Sequence, residues 1–129
     1  MGLRNFRAGE RKRVRAPLPG GPEAEVLIGT DDNWPLGVAR VEIPPGGGMP
    51  EHDHGSSAAM VLPLDQPVVM VDAREGVELE VGPGEVVTIP IGDLVEVWNR
   101  GEAEATIAVV FNPPDFIHQL DSWPAAGDR

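Results

Sequence analysis

Short apolar runs alternate with turn-forming residues along most of this chain. "GVARVEI" (37–43) shows the pattern plainly: Ala39, Val41 and Ile43 fall on one side of an extended backbone, Arg40 and Glu42 on the other. A period of two marks a half-buried strand. "GVELEVG" (76–82) repeats it, with Val77, Leu79 and Val81 predicted inward and Glu78 and Glu80 outward. "AEVLIG" (24–29), "SAAMVLPL" (57–64), "PVVMVDA" (67–73), "EVVTIP" (85–90), "LVEVWN" (94–99) and "ATIAVVF" (105–111) are further apolar runs. "PPGGGMP" (44–50) interrupts them, and Pro63 marks a bulge or a sheet edge. About eight strands at short, regular spacing predict an all-β sandwich or barrel. Only "PPDFIHQL" (113–120) reads as a short helical turn at the C-terminus, opened by proline, with Phe116 and Leu120 four apart.

The composition bounds this picture. A length of 129 residues suits one domain, and 41% apolar content supplies a core. Sixteen glycines and fourteen prolines punctuate the strands. The absence of cysteine excludes disulfides, thiolate metal sites and thiol nucleophiles, and fits a cytoplasmic protein. No apolar run approaches the roughly 18 residues of a membrane span, and no signal-peptide core is present, so no membrane partner is expected.

Charge divides the chain unevenly. Six of ten basic residues (Arg4, Arg7, Arg11, Lys12, Arg13, Arg15) precede residue 16, against a single acidic one, Glu10. Of the whole chain's net −11, the remainder, with four basic and twenty acidic residues, carries −16. An acidic body repels phosphates, so nucleic acid is not an expected partner. The predicted organisation is a basic, flexible arm over 1–20, a single barrel over 21–123 and a flexible tail over 124–129. The arm is expected either in solvent or against the acidic body of its own or a neighbouring chain.

"PEHDHG" (50–55) concentrates the candidate chemistry. It holds His52 and His54, two of the three histidines, with Glu51 and Asp53 beside and between them. If both imidazoles face inward, strand alternation turns Glu51 and Asp53 outward. Gly46 stands five residues before the His-x-His pair. Further on, Gly84, Pro90, Gly92 and Asn99 form a second spaced set. In these two stretches the chain resembles the cupins, a family of small jelly-roll barrels, from about Gly37 to Pro114. The resemblance implies an all-β, cupin-type jelly roll and a likeness to proteins that commonly pair as homodimers. It also implies an inward metal centre of His, His, Glu and His. His52 and His54 hold the first two positions. The Glu position falls on Ala58, or on Ala59 with one more intervening residue, and the third His position falls on Val95. The metal motif is thus degenerate.

Two imidazoles are few for a divalent ion, since zinc sites usually supply about three or four protein ligands. Three readings of His52 and His54 stand open. They are ligands of an atypically held Fe, Ni, Mn or Zn ion; they are metal-free general acid–base groups; or they are internal polar groups satisfied by each other or by water. Val41, Ala58, Met60, Thr88, Val95 and Val97 are predicted to line the lumen as a substrate-binding wall, together with Ala39 and Leu62. That wall suits a small, largely apolar organic molecule. The corresponding functions are an oxygenase, lyase or isomerase with metal, an isomerase or cyclase without it, or a non-catalytic binding or scaffold dimer. His118 is predicted on the surface of the C-terminal turn, and Glu96 is predicted outward beside Val95.

Overall fold

The alternating segments pair antiparallel into two sheets. The computed structural model describes residues 2–126. In one sheet the order is β1 (Arg13–Arg15), β2 (Glu23–Ile28), β3 (Gly37–Ile43), β10 (Ala105–Asn112), β5 (Ala58–Pro63) and β8 (Val87–Ile89). In the other it is β4 (Gly48–His52), β9 (Val95–Trp98), β6 (Val68–Asp72) and β7 (Val77–Val81). A 3-10 turn at Pro114–Ile117 leads into the short helix α1 (His118–Asp121), as the proline-led motif predicts. Among the described residues no helix is long and apolar enough to cross a membrane.

The inner faces of the sheets make the core. β10 pairs with β3 on one side and β5 on the other, so Val109 lies opposite both Ala39 and Val61. All three are buried, as are Ile43, Ile107 and Phe111 on the same faces. Asn99, 1% exposed, ties the end of β9 into this core. Its amide nitrogen donates to Ile43 O (3.0 Å) and Ala103 O (2.8 Å), and its amide oxygen accepts from Gly101 N (3.0 Å).

Three expectations are corrected. First, β4 begins inside the glycine-rich stretch read as a break. It starts there because Gly48 has no side chain: a Cβ at that position would lie 2.0 Å from Val97 O. Second, Ala58, Met60, Leu62 and Thr88 face away from the lumen. Residues 57–64 are apolar on both faces, so the sequence gives no phase. Pairing with β10 decides it, setting Met60 opposite Val110 and Val61 opposite Val109. Met60 is 39% exposed on the outer surface, next to Thr88. Third, Val77 and Leu79 face the interior side as predicted but are not covered. Leu79 pairs with buried Met70, yet it is 51% exposed, on the strand that forms the edge of its sheet.

The basic N-terminal segment joins the sheet. β1 pairs with β2 and buries Val14 against the core. On the outer face, Arg13 bridges Glu23 (2.7 Å) and Glu42 (3.2 Å), Arg15 bridges Glu23, and Arg40 bridges Glu42 (2.7 Å). Glu25 accepts the backbone N–H groups of Gly9 and Arg11. Acidic residues on β2 and β3 are thus matched by the preceding arginines, and the chain folds back on itself. The C-terminal stretch crosses the same edge: Arg15 N donates to Pro124 O (2.9 Å) and Ala126 N to Arg13 O (3.0 Å). The rest of the predicted tail, 127–129, lies outside the described residues.

Arg13 faces two carboxylates that are themselves buried, Glu23 and Glu42. Taking it away leaves each with a single arginine partner among the ion pairs above. Arg13→Ala is expected to lower the unfolding free energy by about 2 kcal/mol in urea titrations, less than for a wholly buried pair because the guanidinium meets solvent. Lys12→Ala, at an exposed neighbouring position, should stay within about 0.5 kcal/mol of the parent.

Candidate active site

The histidine pair owes its placement to an irregularity in β4. Met49 pairs with Val97 and His52 with Val95, so three steps along β4 match two along β9. The extra residue falls at Pro50–Glu51, where Pro50 has no N–H to give the ladder. As a result Met49 and His52 both reach the lumen, while Glu51 stays exposed. His54 follows the strand and is 7% exposed. Asp53 turns outward and accepts the Gly55 N–H (2.9 Å).

Both imidazoles open onto one apolar cavity of about 90 Å³. Val41, Val95 and Val97 line it, as the sequence reading places them, together with Ala39. Val61, Ile89 and Val109 complete the side wall in place of Ala58, Met60 and Thr88. Ala59 takes the buried, inward position on β5, so the longer of the two motif spacings matches the structure. Phe116, Leu120 and Trp123 of the C-terminal turn also border the cavity. Glu96 points away and accepts the Trp98 indole N–H (2.8 Å). His118 lies outside, its Nε2 3.0 Å from Thr30 Oγ1.

Aromatic packing around His54 went unread in the sequence. The His52 and His54 rings meet edge to face, centroids 4.9 Å apart with planes at 82°. Phe116 lies 5.0 Å and Phe111 5.8 Å from the His54 ring. Ser57, 0% exposed, holds the turn in place: its hydroxyl donates to Pro113 O (2.6 Å) and accepts from Phe116 N (3.1 Å). The available signal was scarcity. The chain has only three phenylalanines, and two of them are here.

These contacts set the proton positions. Pro50 O has only lone pairs to offer, so His52 Nδ1–H donates to it (2.8 Å) and the neutral ring keeps its lone pair on Nε2. His54 is held neutral well below the usual range, with its pKa lowered to about 4. Burial is the main cause and the neighbouring His52 adds to it, while Asp53 opposes both. His54 Nδ1 is buried with no hydrogen-bond partner in the protein. An unpaired buried polar atom costs about 1–3 kcal/mol.

The donor set does not fit a resident divalent ion. Ala59 and Val95 stand where further ligands would be needed, and no group of three or more His, Asp or Glu side chains converges anywhere among the described residues. Two imidazoles on an apolar wall fall short of the ligand count of zinc or non-haem iron sites.

Two outcomes follow. Below pH 6.5 the unfolded chain takes up a proton at His54 that the folded chain refuses, so stability should fall as the pH drops from 6.5 to 4, by on the order of 3 kcal/mol at most. His54→Gln should lack that component, seen as the difference between the two proteins' urea midpoints across this window. Above pH 6.5 the term vanishes. Separately, protein incubated with Zn, Ni, Mn or Fe(II) and then desalted should keep well under one ion per chain. Near-stoichiometric retention that His52→Ala removes would overturn the reading of the donor set.

No protein-family model matches the sequence, and neither does any curated protein. Solved structures do match in shape. The polyketide cyclase RemF from Streptomyces resistomycificus aligns over 85% of this chain and 79% of its own, at 23% identity and a TM-score of 0.72. A predicted oxalate decarboxylase from Thermotoga maritima aligns over 85% and 99%, at 20% identity and 0.74. A sugar phosphate isomerase of the cupin superfamily from Silicibacter pomeroyi aligns over 84% and 75%, at 22% identity and 0.67. At these identities the likeness establishes the fold.

Proposed function

We propose that this chain, a cupin by fold, is a metal-free enzyme that moves a proton on a small, largely apolar molecule held between His52 and His54. The observation that carries this reading is the pair of imidazoles, His52 and His54, on one chamber whose other walls are apolar. A ligand with one oxygen at this pair would gain a hydrogen bond there, while its carbon skeleton fills the dry wall. His52 is the base. Its Nδ1–H is committed to Pro50 O, which leaves Nε2 free to accept a proton and steadies the imidazolium that results. His54, kept neutral, presents an N–H to the developing oxyanion without adding a positive charge that would have to be desolvated. The proton that His52 takes from one carbon is returned at another, which is an isomerisation; or the enolate so formed adds to a second carbonyl of the same molecule, a C–C bond closes the ring, and the proton goes to the alkoxide that results, which is a cyclisation. Shape in so tight a chamber favours the folded conformer a cyclisation needs. A polyketide cyclase and a sugar phosphate isomerase share the shape of this chain, which supports this class. We place the activity in the cytoplasm, in a homodimer.

A binding protein without chemistry would use the same chamber, so the test must separate the two. Cyclopentanone in D₂O serves as a minimal probe, because exchange of its α-protons needs only a base and an oxyanion donor. The wild type is expected to speed this exchange by about 10²-fold or more over buffer. His52→Ala should abolish the effect, and His54→Gln should weaken it. Binding of the ketone with exchange at the buffer rate would leave a binding module. Exchange unaltered by either substitution would remove the histidines from the reaction.

A further inference from the structure

The chamber at the histidines, about 90 Å³, is small beside the roughly 300 Å³ at which small-molecule pockets begin. A second apolar space adjoins it. It opens where the two sheets part along β7 and β8, holds about 170 Å³, and is walled by Val77, Leu79 and Val87. Met70, Ile89 and Val95 line both spaces and so form the partition between them. Ile89 and Val95 are β-branched strand residues, stiff at χ1. Met70 is unbranched and flexible, the one member of the partition that can swing aside with the backbone fixed.

The sheet itself points from one space to the other. His52 pairs with Val95, Val95 with Asp72, and Asp72 with Val77, a single row across β4, β9, β6 and β7. Three strand spacings span about 14 Å. Val77 and Leu79 lie at its far end, inward-facing and half exposed. Asp72, Glu75 and Asp93 rim that end, so a negative charge there would be repelled.

We propose that the two spaces are one elongated site gated by Met70, and that its ligand is a linear, mainly apolar molecule. One polar group sits at His52 and His54, and an uncharged or cationic tail lies in the β7–β8 groove. This rests on the reading of the lumen as a small-molecule site. The groove's occupant is the tail of that same ligand, because the groove shares its wall with the chamber.

The test uses primary alcohols from butanol to decanol, followed by calorimetry and by NMR of ¹³C-methyl-labelled methionine and leucine. Affinity should tighten about three- to fourfold per methylene through the whole series. Butanol should move the Met49, Met70 and Leu120 methyls, which line the chamber, and decanol should move Leu79 as well. Leu79→Asp, at an exposed position, should weaken decanol at least tenfold and leave butanol unchanged. Met70→Ala should favour decanol over butanol further, and 10-hydroxydecanoate should bind at least tenfold more weakly than decanol. Affinity that levels off after butanol in both wild type and Met70→Ala would overturn the elongated site while leaving the chamber standing. So would indifference of decanol to Leu79→Asp. Leu79 methyls that respond to protein dilution and not to alcohol would give the groove to a second copy of the chain. Failure of every alcohol to bind would overturn this proposal and the small-molecule reading together.

Discussion

Everything in the barrel is referred to β10. It is the strand that hydrogen-bonds to β3 along one side and to β5 along the other, and its inner row, Ile107, Val109 and Phe111, fixes which residues of both neighbours face inward. A slip of one residue would exchange the faces of a whole strand. Val61 and Ala59 would then turn out and Met60 would turn in. Asn99 braces the same frame from the other sheet by gripping the Ile43 carbonyl at the end of β3.

That dependence explains what the chain disclosed and what it withheld. β3 was legible because Arg40 and Glu42 punctuate its apolar positions and so give it a phase. β5 was not, because residues 57–64 carry no charge to mark an outer face; its phase comes from β10, a long-range partner. The eight apolar segments read as strands all are strands, while β1 and β4 escaped notice for different reasons. β1 is a three-residue edge made of arginines around Val14, which looks like a charged tail until Glu23, Glu25 and Glu42 are seen opposite it. β4 opens on Gly48, the last of three glycines, because it runs close to β9 there, and glycine in a sequence ordinarily signals the reverse of pairing.

At the site, the spacing of Gly46, His52 and His54 singled out two imidazoles that the fold brings together on one cavity, and the second motif located Val95 beside them. The aromatic cap over His54 comes from the far end of the chain, and nothing near residue 54 announces it. The two effects are linked. Inward Ala59 and Val95, together with Phe111 and Phe116 against the ring, surround His54 with apolar side chains and keep it uncharged. The wall that offers a metal ion no further ligands is the same wall in which an imidazole stays neutral.

Ser57 carries a kinetic meaning beyond its packing. One buried hydroxyl receives the Phe116 N–H and gives its own proton to the Pro113 carbonyl, so the start of the C-terminal turn is pinned at two points by a single atom. The end of the same segment is laced to β1 through Arg13 and Arg15. Traffic through that end of the barrel must break both fastenings in one local opening, and such openings are rare where the backbone is bonded on two sides. That end is therefore the slow door of the barrel, and under the proposed elongated site exchange runs past Met70 instead.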